Sequence, residues 1–189
     1  MDKIVFDVET KNTFADIGGE ANMHKFEISV AAAYSYDKDE YYCFEERELD
    51  ELGEMMRKAG LIIGFSSKRF DVPILNNYFK FNLGAVPHYD ILEQIENKWG
   101  RRISLDLLSE ANLGIRKTGH GLEAIEWYKN GEMEKLKEYC KQDVKITKQI
   151  FDLIKAQKYL WIPQRNNPEM AKVELKYEEK EPDPQGALL

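Results

Sequence analysis

An α/β domain on a mixed β-sheet is the fold class this 189-residue sequence predicts, with antiparallel hairpin strands first, parallel strands later and helices on the flanks. Three observations predict it. The first quarter carries strand-length runs separated by turn signals: "IVFDVE" (3–8), "FEISVAAAYSYD" (26–37) and "EYYCFEE" (40–46). An amphipathic stretch then leads into a continuous apolar run, "LIIGF" (61–65), so strands begin to alternate with helices. From 92 to 158 the pattern is mostly helical.

The elements follow in order. Residues 3–8 start the fold, their hydrophobics interrupted by Asp7, and a polar loop (10–24) with Gly18-Gly19 as its turn signal follows. "DKD" (37–39) closes a hairpin between the next two strands. "ERELDELGEMMRKAG" (46–60) is an amphipathic helix stopped at Gly60. After "SSKR", "FDVPILNNYFKFNLG" (70–84) reads as a helix with Pro73 in its first turn, where a missing N–H costs little. "VPHYDI" (86–91) is a strand or the start of a helix. The helical stretch breaks near Gly100, Gly114, Gly119–Gly121 and Asn130-Gly131. Residues 163–189, rich in Pro, Glu, Lys and Asn, show no period, so a domain over 1–160 and a disordered tail over 161–189 are expected.

Composition narrows the class. Hydrophobic content of 43% and charged content of 32% are those of an ordinary globular protein, with no apolar run of membrane-spanning length. The start "MDKIVFDVET" is acidic and enters a strand at once, unlike a secretory signal. Cys43 and Cys140 are far apart and in no metal-ligand spacing, which suits a reducing, cytoplasmic location. A net charge of −7 argues against a general nucleic-acid binder, although a site made of carboxylates contributes negative charge of its own. Basic clusters at 97–102, 115–117 and 135–148 are each as well explained by solvated faces.

The carboxylates carry the chemistry. Asp7 and Glu9, two apart on a strand, project from one face, and Asp7 sits among apolar neighbours where an unpaired charge costs several kcal/mol. Asp71 opens a helix after an apolar strand, where the helix dipole alone would account for it. Tyr139 and Asp143, in "EYCKQD", stand one turn apart on one helix face. Each acid alone has an ordinary explanation. Their order does not. "FDVET" (6–10), "GFSSKRFDVPIL" (64–75) and "YCKQD" (139–143) together resemble the three motifs of the DEDD superfamily of 3′–5′ exonucleases on the ribonuclease H-like fold, over roughly residues 1–155. The look is nearest to exonucleases related to the proofreading domain of family B DNA polymerases. Tyr139, four residues before the last Asp, fits the tyrosine (DEDDy) subgroup, and Glu138 stands where the other subgroup has His. Ser66 and Ser67 depart from the Asn common in the second motif.

That resemblance implies two Mg²⁺ or Mn²⁺ ions. Asp7 would bridge both, Glu9 and Asp143 would serve the ion that activates water, and Asp71 would serve the one at the leaving group. Two such ions about 3.5–4 Å apart suit phosphodiester hydrolysis, and hard oxygen ligands suit the ions. Tyr139 would orient the attacking water, since a phenol with an ordinary pKa near 10 is a poor general base at neutral pH. Thr10, Phe65, Ser67, Phe70 and His120 are candidate substrate contacts, Phe65, Phe70 and Tyr89 by stacking on a base. Asp90 reads as a helix cap. The expected substrate is a single-stranded DNA or RNA 3′ end, with no membrane partner. An exoribonuclease, an oligonucleotide nuclease and a catalytically silent nucleic-acid-binding module remain as alternatives. The terminal "QGALL" (185–189) has a slight likeness to sliding-clamp-binding peptides, which would link the tail to replication or repair proteins.

Overall fold

The computed structural model describes residues 1–116, 121–165 and 167–178. Its centre is β1 (Lys3–Thr10), which pairs antiparallel with β2 (Ile28–Ser35); β2 pairs antiparallel with β3 (Glu40–Glu45). On its other edge β1 runs parallel to β4 (Leu61–Gly64), and β4 parallel to β5 (His88–Asp90). The order β3-β2-β1-β4-β5 is the mixed α/β sheet the sequence predicts. Helices cover both faces, so β2 is buried along its whole length, as its run of Ala and β-branched residues allows.

Alternation along β1 divides the core in two. Ile4, Phe6 and Val8 face one cluster with Leu52 and Met56 of α2 (Leu49–Arg57); Val5 faces the other. In chain order, α1 (Phe14–Ile17) lies in the loop after β1, and α3 (Asp71–Leu75) in the connection after β4. Next come α4 (Ile91–Trp99), α5 (Leu105–Leu113), α6 (Gly121–Lys129) and the 25-residue α7 (Met133–Gln157). α7 lies across β1 and β2 and buries Leu136, Cys140, Val144, Ile150, Phe151 and Ile154 against them.

Three expectations need correction. The polar loop after β1 contains α1, closed by a capping box between Thr13 and Asp16, and a 3₁₀ turn at Glu20–Lys25. The helix expected over 70–84 ends at Leu75. Beyond it, Asn76 Oδ1 accepts from the Leu83 N–H (2.8 Å) and Asn82 Oδ1 from the Gly84 N–H (2.9 Å), while Phe79 and Phe81 stack at 5.3 Å. Those side-chain bonds give the backbone an alternative to the helix.

The tail expected from 161 is instead a hairpin over its first part, β6 (Tyr159–Gln164) and β7 (Asn167–Glu174). Leu160, Ile162, Val173 and Leu175 anchor it on the core. The Asn112 side chain acts as a strand neighbour, accepting from the Trp161 N–H and donating to the Trp161 carbonyl, both at 2.8 Å. Charged residues on the outward face hid the period of two on the inward one. Residues 179–189, with "QGALL", lie outside the described residues.

Candidate metal centre

The sequence places the first two acids by strand geometry. Asp7 and Glu9 share the β1 face that looks toward α7, half-buried, while Phe6 and Val8 are packed on the opposite face. The β1–β2 register shifts between Glu9 and Thr10: Glu9 pairs with Val30 and Thr10 with Ile28, leaving Ser29 as the extra residue of a bulge. Such bulges re-aim the side chains beside them.

α7 supplies the next two groups. Tyr139 and Asp143 stand one turn apart on its buried face, 7% and 4% exposed. The Tyr139 ring meets Trp127 of α6 edge-on at 5.4 Å, which fixes its plane. Carboxylate oxygens of Asp7, Glu9 and Asp143 all lie within 4.8 Å of one another, a spacing that can hold a metal ion. Cys140 sits beneath them, its Sγ 3.5 Å from the Asp7 carbonyl oxygen. Burial pushes its thiol well up, and the charges of Asp7, Glu9 and Asp143 push it further.

Asp71 is the fourth acid. It begins α3, is 4% exposed, and accepts from the Val8 N–H at 3.1 Å, so a backbone bond ties the second motif to the first. Burial, with smaller contributions from the Asp90 and Asp143 charges, pushes its carboxyl up to about 7; the Val8 bond pulls the other way. The converging carboxyls of Asp7, Glu9 and Asp143 disfavour one another's charge, and Asp71, outside that close group, feels the Asp143 charge. Hard oxygen donors at this spacing fit divalent cations of the magnesium class, whose charge would remove that penalty.

The loop between β4 and α3 sets where Asp71 lies. Asp90 is buried and accepts four backbone N–H groups, from Ser66, Lys68, Leu92 and Glu93, at 2.9–3.2 Å. It caps α4, as the sequence suggests, and also folds the loop. Ser66 takes the left-handed conformation (φ 62°) there, and its hydroxyl accepts from Arg102 Nη2 at 3.0 Å. Arg102 is a residue sequence reasoning passed over; only its place in "NKWGRR" pointed to it.

Ser67 is fully buried, its hydroxyl 2.9 Å from His88 Nε2, which corrects its assignment as a substrate contact. Thr10 is also turned inward, donating to the Asn12 carbonyl at 2.9 Å. Phe70 packs with Phe14 and Phe26 in the cluster on the face of the sheet opposite Asp7 and Glu9. Tyr89 is core, against Phe151 and Tyr177. Phe65 lies on the acids' side of the sheet, against the α7 cluster. His120 lies outside the described residues.

His88 gives a pH prediction. Burial, aided by Lys68, pushes its imidazole down to about 4. The unfolded imidazole gains its proton near 6.5, so the folded chain holds fewer protons between about 4 and 6.5. Stability is complete above about 6.5 and is lost as pH falls toward about 4. Between pH 7.5 and 5.0 the wild type is expected to lose about 2 kcal/mol more than His88→Gln in urea unfolding. Parallel losses would remove the assignment.

A family model described as RNase_H superfamily matches residues 4–155. No curated protein matches the chain. Among the described residues, no helix is long and apolar enough to cross a membrane.

Proposed function

The chain belongs to the RNase H superfamily, a membership that suggests nuclease activity and metal binding, and on that premise we propose that it is a metal-dependent 3′–5′ exonuclease of the DEDDy type acting on single-stranded ends. The observation that carries the reading is the convergence of Asp7, Glu9 and Asp143 within 4.8 Å, with the Asp71 carboxyl repelled by the Asp143 charge beside it. Asp7, Glu9, Asp71 and Asp143 would hold two Mg²⁺ or Mn²⁺ ions, which would supply the charge that stabilises the attacking and leaving oxygens of phosphodiester hydrolysis.

The chain's own groups do the rest. Asp71 and Asp143 are nearly closed off from solvent, which keeps the local dielectric low and strengthens each electrostatic contact. Tyr139 is held by Trp127 one turn from Asp143, and its hydroxyl would orient the attacking water rather than remove its proton. DNA is the substrate we favour; ribose would add only a 2′-hydroxyl.

The direct test offers single-stranded DNA, duplex DNA and RNA, each blocked at the 3′ or the 5′ end, with Mg²⁺, Mn²⁺ or a chelator. Stepwise shortening of the strand with a free 3′ end, lost with chelator and restored by metal, is expected. No shortening of any strand with either ion would retire the reading in favour of a silent binding module. Tyr139→Phe is expected to lower kcat by about a hundredfold with KM within a factor of three. Equal effects on both would refute the water-orienting role.

A further inference from the structure

A cavity of about 990 Å³ opens at the C-terminal ends of β4 and β5, and none of the chemistry above uses it. It lies just past the β1–β4 ladder, whose last pair is Val5 with Ile63, two residues before Asp7 and Phe65 along their chains. Phe65 is one wall of the cavity and packs in the core cluster on the side of the sheet that carries Asp7 and Glu9. The far walls are Trp99 at the end of α4, Arg101 and Arg102 just after it, and Arg165 at the tip of the β6–β7 hairpin.

The lining is peculiar for this chain. The protein carries a net charge of −7, yet the cavity is lined by three arginines and no acid. Among the described residues, Arg101 and Arg165 reach no carboxylate within ion-pair distance. Arg102 meets Glu96 only at 4.0 Å, and Arg69 is nearer to that same carboxyl group at 3.1 Å. Arg101 lies 5.9 Å from the Trp99 ring centroid.

A small inorganic anion would need the guanidiniums but neither the rings nor the volume. An apolar ligand would leave three cations desolvated without compensation. A flexible chain of flat bases joined by phosphates uses all three properties. We propose that the cavity binds the single-stranded nucleotides on the 5′ side of the scissile phosphate, bases against Phe65 and Trp99, phosphates against Arg101, Arg102 and Arg165. This rests on the exonuclease reading and deepens it: the strand must be unpaired for its bases to reach the rings, and the C-terminal hairpin completes the substrate path.

The test measures binding apart from catalysis. Fluorescence anisotropy of a 5′-labelled thymidine octamer is followed in an Asp143→Asn background with Mg²⁺ present, with and without Arg101→Ala/Arg165→Ala. Both arginines are exposed, so folding should be unaffected, as circular dichroism would check. The double variant is expected to raise Kd at least tenfold at 0.1 M salt and to reduce the slope of log K against log salt by about 1.4, at about 0.7 for each phosphate no longer neutralised. In the chain with all its acids, the same pair should raise KM for the octamer while leaving kcat unchanged. A Kd within twofold of the parent, or no octamer binding at all, overturns the proposal whatever the nuclease assay shows. Arginine-dependent binding without any metal-dependent shortening would instead sink the exonuclease reading and leave the binding site standing.

Discussion

Asp143→Asn is expected to lower strand hydrolysis at least a thousandfold while leaving the metal-free protein as stable as before, or more so. The substitution keeps the volume and removes one charge from a group of acids whose oxygens already lie within 4.8 Å. In the metal-free protein that charge is a cost, because Asp143 is 4% exposed and helps push Asp71 up to about 7. In the metal-loaded protein it would be a ligand, and losing about 4 kcal/mol of transition-state stabilisation corresponds to the thousandfold. Glu138→Gln is the control: that acid is on the same helix but exposed and paired with Lys141, so activity should stay within twofold. Thermal unfolding in chelator and initial rates with Mn²⁺ make the comparison. A drop in stability with activity retained would mean that Asp143 is a structural group.

Gly64→Ala is the second, and its effect is on folding. A Cβ at Gly64 would lie 2.2 Å from Ser67 Oγ and 2.5 Å from Ser67 Cβ, with Phe6 at 3.5 Å on the other side. Ser67 cannot swing away, since it is fully buried and bound to His88, and its carbonyl accepts from the Val72 N–H at 2.9 Å. The loop must therefore lift, and with it the first turn of α3 that carries Asp71. Overpacking of this kind costs about 3 kcal/mol, or about 10 °C of Tm in a domain of this size. Gly64→Ala/Ser67→Gly removes the obstructing atoms and is expected to recover most of that loss. Unfolding at the wild-type temperature in the single variant, or no recovery in the double, would contradict the geometry.

The sheet was legible because its strands announce themselves by different signals: alternation with turns for the antiparallel half, a short continuous apolar run for β4. The convergence of Asp7, Glu9 and Asp143 was legible because carboxylates in apolar company are costly, and the order of the motifs along the chain resembles a known set. The substrate contacts were not. Phe70 belongs to the opposite core because it follows a loop whose path depends on Asp90, twenty residues later, accepting N–H groups from Ser66 and Lys68. Ser67 reads as a candidate substrate contact in the sequence, whereas the fold buries it against His88. The hairpin after α7 was obscured by composition: Glu169, Lys172 and Glu174 dominate the count, while Leu160, Ile162 and Val173 do the anchoring. Long-range partners, rather than local propensity, decided each of these.

The proposed function depends on one claim above the rest: that Asp7, Glu9 and Asp143, from β1 and α7, would hold divalent cations together with Asp71 of α3. Titrating Mn²⁺ into the metal-free protein at pH 8 and following the free-ion signal by electron paramagnetic resonance tests it without any substrate. The expected result is loss of free-ion signal for one to two equivalents in the wild type and little or none with Asp7→Asn; identical titrations of the two proteins would contradict it.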